Sequence, residues 1–216
     1  MSDEVKKANP CKALTPEFKM SFPFIFKARP NPDKPNDAPK FSMTMLFQVK
    51  ADAKKPESKV VDIAPLVAAA KAAAVAKWGP DQKAWPATLK WPFRKGEEKA
   101  NLDGYGEGVI AVNCTTEQQP PYVKQDGKTT ITDPKEAYPG VFARAVIVAF
   151  AYEARNSPNG PIVNRGVSFG LRHVQKIRDG KILGGGSKPE EDFTPIEEPV
   201  AAISGGVEDD LGIPGM

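Results

Sequence analysis

The chain has 216 residues, with 30 Lys+Arg against 27 Asp+Glu, one His, two Cys, 18 Gly and 22 Pro. One His excludes a two-His zinc centre and leaves at most one Ser-His-Asp or Cys-His pair, and two distant cysteines, Cys11 and Cys114, make no disulfide framework. No apolar run approaches the roughly 20 residues of a membrane span, and Met1-Ser2-Asp3-Glu4-Val5-Lys6-Lys7 lacks the apolar core of a signal peptide, so a soluble protein of a reducing, intracellular compartment is expected.

Residues 1–18 read as an N-terminal arm. From 19 to 27 the pattern alternates, with Phe22, Phe24 and Phe26 on one side and Ser21, Ile25 and Lys27 on the other; Pro23 signals an edge or a bulge. A Pro/Asn/Asp loop, Arg29 to Pro39, leads to a strand from Lys40 to Lys50. Phe41, Met43, Met45 and Phe47 share one of its faces, and Ser42, Thr44, Leu46 and Gln48 the other. Asp62 can cap a helix from Ile63 to about Trp78, with Pro65 tolerated in its first turn and Gly79-Pro80 at its end. Ile63, Leu66, Val67, Ala70, Ala74 and Trp78 form its apolar stripe.

Residues 80–106 read as irregular, with Trp85-Pro86, Trp91-Pro92-Phe93-Arg94 and Gly104-Tyr105-Gly106. Strands follow at Gly108 to Thr115, Pro121 to Lys124, Val141 to Ala154 and Val163 to Ile177, the last two joined by a turn at Asn156-Ser157-Pro158-Asn159-Gly160. Asp179-Gly180 predicts a hairpin from Gln175-Lys176-Ile177 to Lys181-Ile182-Leu183. Several strands and one inserted helix predict a mainly β fold, a small closed or partly open barrel.

Charge divides at Gly184-Gly185-Gly186-Ser187. Residues 188–216 hold one lysine and eight acids, −7, which leaves 29 bases against 19 acids, +10, for residues 1–187. The glycines read as a hinge, and the Pro-, Gly- and acid-rich segment beyond them as a disordered tail. Its tip, Glu208-Asp209-Asp210-Leu211-Gly212-Ile213-Pro214, sets acids beside Leu and Ile, a pattern suited to basic, apolar-lined pockets of partners. The same acids could cover a basic groove of the chain itself.

The catalytic inventory is nearly empty. Gly104-Tyr105-Gly106-Glu107-Gly108 precedes a strand where a dinucleotide fingerprint would open a helix, and Gly184-Gly185-Gly186-Ser187-Lys188 lacks P-loop spacing. His173 has no evident nucleophile or orienting acid, and Glu97-Glu98 and Asp209-Asp210 are adjacent acids without a wider cluster. No metal site and no cofactor are expected.

Aromatic residues interleaved with bases are the positive signal. Lys90-Trp91-Pro92-Phe93-Arg94-Lys95 is the densest case; Phe26-Lys27-Ala28-Arg29, Lys40-Phe41, Tyr122-Val123-Lys124, Phe142 with Arg144, Tyr152 with Arg155, and Arg165 with Phe169 and Arg172 repeat it. Single-stranded nucleic acid needs this combination, rings for bases to stack on and cations to track phosphates. Phe22, Phe24, Phe41, Phe47 and Phe150 read as core. The phosphate contacts expected are Lys27, Arg29, Lys40, Arg94, Arg144, Arg165 and Arg172, and the stacking rings Trp91, Phe93, Tyr105, Tyr122 and Tyr152.

Tyr138-Pro139-Gly140-Val141-Phe142-Ala143-Arg144-Ala145, with Gly166-Val167-Ser168-Phe169-Gly170-Leu171 and Val174-Gln175-Lys176-Ile177-Arg178-Asp179-Gly180, resembles the phage single-stranded DNA-binding protein family. That resemblance implies an OB fold over residues 19–183, a hinge and acidic tail over 184–216, and no catalysis. It implies a protein that coats single-stranded DNA during phage replication or recombination in the cytoplasm of the infected host. Duplex DNA would be a weaker ligand, and replication or recombination proteins would meet the tail through Glu208, Asp209, Asp210, Leu211 and Ile213. The tip also looks like the acidic tails of bacterial single-stranded DNA-binding proteins, which commonly end in Ile-Pro-Phe; here Ile213-Pro214 is followed by Gly215-Met216. A magnesium-dependent nuclease or strand-annealing enzyme and a β-rich virion component stay open as alternatives, as does a homodimer.

Overall fold

Alternating side chains decide which face of each strand turns inward. In a computed structural model, which describes residues 9–30, 37–157 and 160–184, Met43, Met45 and Phe47 of one strand meet Val112 and Cys114 of the next, all nearly inaccessible to water. Nine strands form: β1 (Lys12–Leu14), β2 (Phe18–Arg29), β3 (Lys40–Gln48), β4 (Leu89–Lys90), β5 (Phe93–Lys95), β6 (Val109–Thr116), β7 (Tyr122–Val123), β8 (Phe142–Arg155) and β9 (Ile162–Arg178). The order β1-β8-β2-β3-β6-β9-β4, with β8 also paired to β9, closes five strands into a ring, β2-β3-β6-β9-β8. Neighbours in the ring are antiparallel except β6 and β9, which run parallel. A five-stranded ring of this kind is an OB-like barrel, whose second and third strands and the loops after its first and fourth strands form the usual binding face. Here those strands are β3 and β6.

The helix α1 (Ala64–Trp78) lies in the connection between β3 and β6 and buries Leu66, Ala69, Ala70, Ala73 and Ala74. Small side chains there let the helix approach the sheet. Asp62 accepts a hydrogen bond from the Ala64 N–H at 2.8 Å, and Gly79, at φ 85°, ends the helix by donating its N–H to the Val75 carbonyl.

β2 carries the feature that decides the binding face. Ser21 pairs with Thr44, but Phe24 pairs with Ser42, so three steps along β2 match two along β3. One extra residue is a β-bulge, and it moves the side chains that follow it to the opposite face, until a second register shift between Phe24 and Arg29. It forms where Phe22 takes φ 47° just before Pro23; among the described residues no other non-glycine has positive φ. Ile25 therefore turns into the core, 1% exposed, while Phe24 turns outward. Phe22 is itself exposed, so the expected core placement of Phe22 and Phe24 is corrected by this bulge.

Three further expectations are corrected. Residues 12–14 of the supposed arm add β1 to the edge of β8. The irregular 80–106 stretch contains β4, held parallel to β9, and β5, held against β6, which fasten the Trp91-Pro92 corner at both ends. No strand forms at Lys181–Leu183: Gln175 of β9 already pairs with Arg144 of β8 and Val123 of β7, and Leu183 donates its N–H to the Pro139 carbonyl. The chain instead crosses Gly140, where a Cβ on Gly180 would stand 2.3 Å from the Gly140 carbonyl oxygen. The acidic segment with Glu208, Asp209, Asp210, Leu211 and Ile213, and the Pro158-Asn159 part of the turn, lie outside the described residues.

Candidate nucleic-acid interface

On the outer face of the barrel, β3 and β6 present Ser42, Thr44, Asn113 and Thr115, the alternation that buries Met43 and Cys114. β8 continues this face through Arg144, Val146, Val148, Phe150 and Tyr152, and β9 through Ser168 and Gly170. Three clefts follow it. The first, about 580 Å³, has Phe24, Arg29, Lys40, Ser42, Asn113 and Thr115 in its wall. The second, about 330 Å³, is walled by Lys90, Trp91, Arg94, Asn113, Tyr152 and Ser168. The third, about 470 Å³, includes Lys40, Thr115, Phe150, Gly170 and Arg172. Asn113 is shared by the first two, and Lys40 and Thr115 by the first and third, so together they make one continuous groove.

Backbone geometry sets its rings in place. A Cβ on Gly166 would stand 2.8 Å from the Tyr152 hydroxyl and 2.6 Å from the Lys90 carbonyl oxygen, so only glycine lets the Tyr152 ring and β4 approach β9 so closely. Trp91 is 37% exposed, with Trp85 6.1 Å away at a tilt. Phe24 lies under the Arg29 guanidinium at 4.3 Å, a cation–π contact at the wall of the first cleft. Phe150 is 44% exposed.

Six of the expected site residues line the groove: Arg29, Lys40, Trp91, Arg94, Tyr152 and Arg172. Arg144 shares the β8 face but lies further along, beside Leu14, Val146 and His173, and donates to Gln175 at 2.6 Å. The others stand elsewhere. Tyr122 is buried against Phe26 and donates its hydroxyl to the Glu136 carbonyl at 3.1 Å; burial pushes its pKa up, so the ring is part of the core. Tyr105 is buried with Leu46, Val109 and Ala111, its hydroxyl 3.4 Å from Ser21 Oγ. Phe93 turns from the groove and meets Phe169 edge-on at 6.0 Å, because it pairs with inward-facing Val112 while Arg94 pairs with Ala111. Arg165 is tied to Glu153 at 3.4 Å near the end of α1, and Lys27 is exposed on β2 outside the clefts. Phe142, expected beside Arg144, is buried.

Phe24, Lys90, Asn113 and Phe150 are groove residues the sequence reading missed. The signal for Phe150 was its parity with Arg144 and Tyr152 on one strand. For Phe24 it was Pro23, once the bulge shifts the phase by one.

Charge pairing separates this face from the barrel end at Phe142. There Lys19 pairs with Glu57 at 2.5 Å, Arg178 with Glu17 at 2.7 Å, and Lys176 with both Asp179 and Glu136. Lys19 and Arg178 also lie over the Phe142 ring, at 5.0 and 3.5 Å. Among the described residues, Arg29, Lys90, Arg94 and Arg172 of the groove have no carboxylate within pairing distance. Lys40 meets Glu117 at 3.1 Å, both side chains well exposed. A groove with unneutralised cations and open rings suits a polyanion with flat bases. Burial pushes the Cys114 thiol up to about 12, which keeps it protonated and inert. No group of three or more His, Cys, Asp or Glu stands ready for a metal among the described residues, and no helix among them is long and apolar enough to cross a membrane.

A family model described as the Enterobacter phage Enc34 ssDNA-binding protein matches residues 11–203. The solved structure of the single-stranded DNA-binding protein from bacteriophage Enc34 in complex with ssDNA aligns with a TM-score of 0.58 at 15% identity, covering 82% of this chain and 96% of that one. A second structure of that phage protein aligns at 0.56 and 16%, covering 87% and 96%. Its C-terminal truncation aligns at 0.56 and 15%, covering 82% and 95%. At such identities the likeness is one of fold. No curated protein sequence matches the chain.

Proposed function

The chain belongs to the family of the Enterobacter phage Enc34 single-stranded DNA-binding protein, whose model spans residues 11–203, and from that premise we propose that it coats single-stranded DNA along the β3–β6–β9–β8 face without catalysing a reaction. The observation that carries this reading is the continuous groove, in which Phe24, Trp91, Phe150 and Tyr152 alternate with Arg29, Lys90, Arg94 and Arg172. Bases stack on the rings at roughly 1–3 kcal/mol each, and the cations follow the phosphates. Stacking accepts every base, so the protein binds with little sequence preference. Duplex DNA holds its bases away from the rings and binds only through its phosphates.

In this reading residues 19–183, with β1 of the preceding arm added to the sheet edge, are the DNA-binding domain, and the acids of 184–216 engage replication or recombination proteins through Glu208, Asp209, Asp210, Leu211 and Ile213 in the cytoplasm of an infected host. The test is a titration of oligothymidylate into the full chain, read by quenching of tryptophan emission at several salt concentrations. Binding whose logarithm falls linearly with log salt, with quenching lost in Trp91→Phe, supports the proposal. Absence of salt-dependent binding overturns it.

A further inference from the structure

We infer that Asn113 is a base-reading residue, whose side-chain amide donates a hydrogen bond to the ring carbonyl of one base in the groove. The inference rests on the single-stranded DNA reading and adds to it a preference among base types that stacking does not supply.

Asn113 stands on β6 directly opposite Thr44 of β3, in the wall of both the first and the second cleft, so a strand passing from Phe24 to Trp91 must cross it. The two ends of its amide are in different situations. Thr44 Oγ1 donates to Asn113 Oδ1 at 2.8 Å, and Thr44 is 8% exposed, so the acceptor end is fixed from beneath. The amide nitrogen, with two donors, has no protein acceptor among the described residues, and Asn113 is exposed in the cleft wall. Hydroxyls of Ser42, Thr115 and Ser168 line the same two clefts. A phosphate subsite would place a cation on the strand itself; along β6 the neighbours of Asn113 on this face are Ala111 and Thr115 and its partner on β3 is Thr44, a floor of uncharged side chains, while the charged side chains, Arg29 and Lys40, Lys90 and Arg94, and Lys95, Glu98 and Lys99, reach the site from the clefts around it. Such a floor fits base edges, with the backbone on the flanks. A fixed N–H donor selects an acceptor, and thymine, cytosine and guanine present an exocyclic carbonyl that adenine lacks. Thr44 is the positioning residue, because its hydroxyl determines which end of the amide points outward.

A thymidylate strand and the same strand carrying difluorotoluene, which copies the shape of thymine without strong acceptors, separate hydrogen bonding from stacking. The full chain should bind the difluorotoluene strand about five- to tenfold more weakly, the size of one net hydrogen bond. In Asn113→Ala that difference should vanish, and in Thr44→Val, where the amide is free to turn, it should shrink. A double-mutant cycle isolates the contact from general losses. Full discrimination retained by Asn113→Ala, or none shown by the unaltered chain, overturns the inference while salt-dependent thymidylate binding leaves the coating function standing. Failure to bind thymidylate at all overturns both.

Discussion

The groove face and the Phe142 end use the same residue types for opposite purposes. At the Phe142 end the bases lie against acids, and two of them cover a buried ring; Lys19, Lys176 and Arg178 are thereby spent on the fold. Across the groove Trp91 and Phe150 are exposed, and among the described residues Arg29, Lys90, Arg94 and Arg172 form no ion pair, although Asp37 and Glu117 also line its walls. Composition alone does not distinguish the two. Pairing does: a neutralised cation has little field left for a ligand, whereas an unpaired one keeps its attraction for phosphate.

The largest expected contrast is in stability. Phe142→Ala should cost about 3–5 kcal/mol in urea unfolding, the usual loss for a buried ring. Phe150→Ala, on the groove face, should stay within about 1 kcal/mol. Equal costs would erase the distinction between the two regions.

In binding the order reverses. Trp91→Ala and Phe150→Ala should each weaken single-stranded DNA binding by about 1–3 kcal/mol in fluorescence anisotropy. Tyr122→Phe should leave affinity intact, because Tyr122 lies in the core.

Acid should act on the Phe142 end. Hydrogen bonds from Lys176 and Tyr138 hold the Asp179 carboxyl below its usual range, and the hydrogen bond from Lys19 does the same for Glu57. A depressed folded-state pKa stabilises the fold above the unfolded-state value, and that contribution is lost as pH falls through the folded value. The thermal midpoint should therefore drop as pH falls below about 4, the ordinary carboxylate range, and the drop should be shallower in Asp179→Asn. An equally steep fall in that variant would remove Asp179 from the account. The smallest effect is expected at the exposed Lys40–Glu117 pair: Glu117→Gln should tighten DNA binding by less than about 1 kcal/mol, by freeing Lys40.

Much of the barrel was legible in the sequence, because the 2-residue period of Met43, Met45 and Phe47, the length of α1 and the β8–β9 hairpin are local signals. The site was only half legible. Arg29, Trp91, Arg94 and Tyr152 were found by their mixture of ring and charge, but side-chain chemistry does not say which face a residue occupies. Phe24 reaches the groove only because the bulge at Phe22-Pro23 shifts β2 by one residue. Phe93 leaves it because β5 pairs with β6 in one register and not the other. Tyr105 and Tyr122 are taken up by packing that involves residues more than a dozen positions away, such as Ser21 and Glu136. The Asp179-Gly180 hairpin failed for a related reason, since Gln175 already has a partner on each edge of β9, Arg144 and Val123, and Leu183 bonds to Pro139 instead.

Salt dependence of binding in two triple variants separates the groove from the Phe142 end. Arg29→Ala, Arg94→Ala and Arg172→Ala together should lower the slope of log affinity against log salt by about 2, at roughly 0.7 per phosphate contact. Lys19→Met, Lys176→Met and Arg178→Met together, measured at a temperature where that protein remains folded, should keep the slope of the unaltered chain. An unchanged slope in the groove variant, or a loss confined to the Phe142 end, would contradict the assignment of the DNA path.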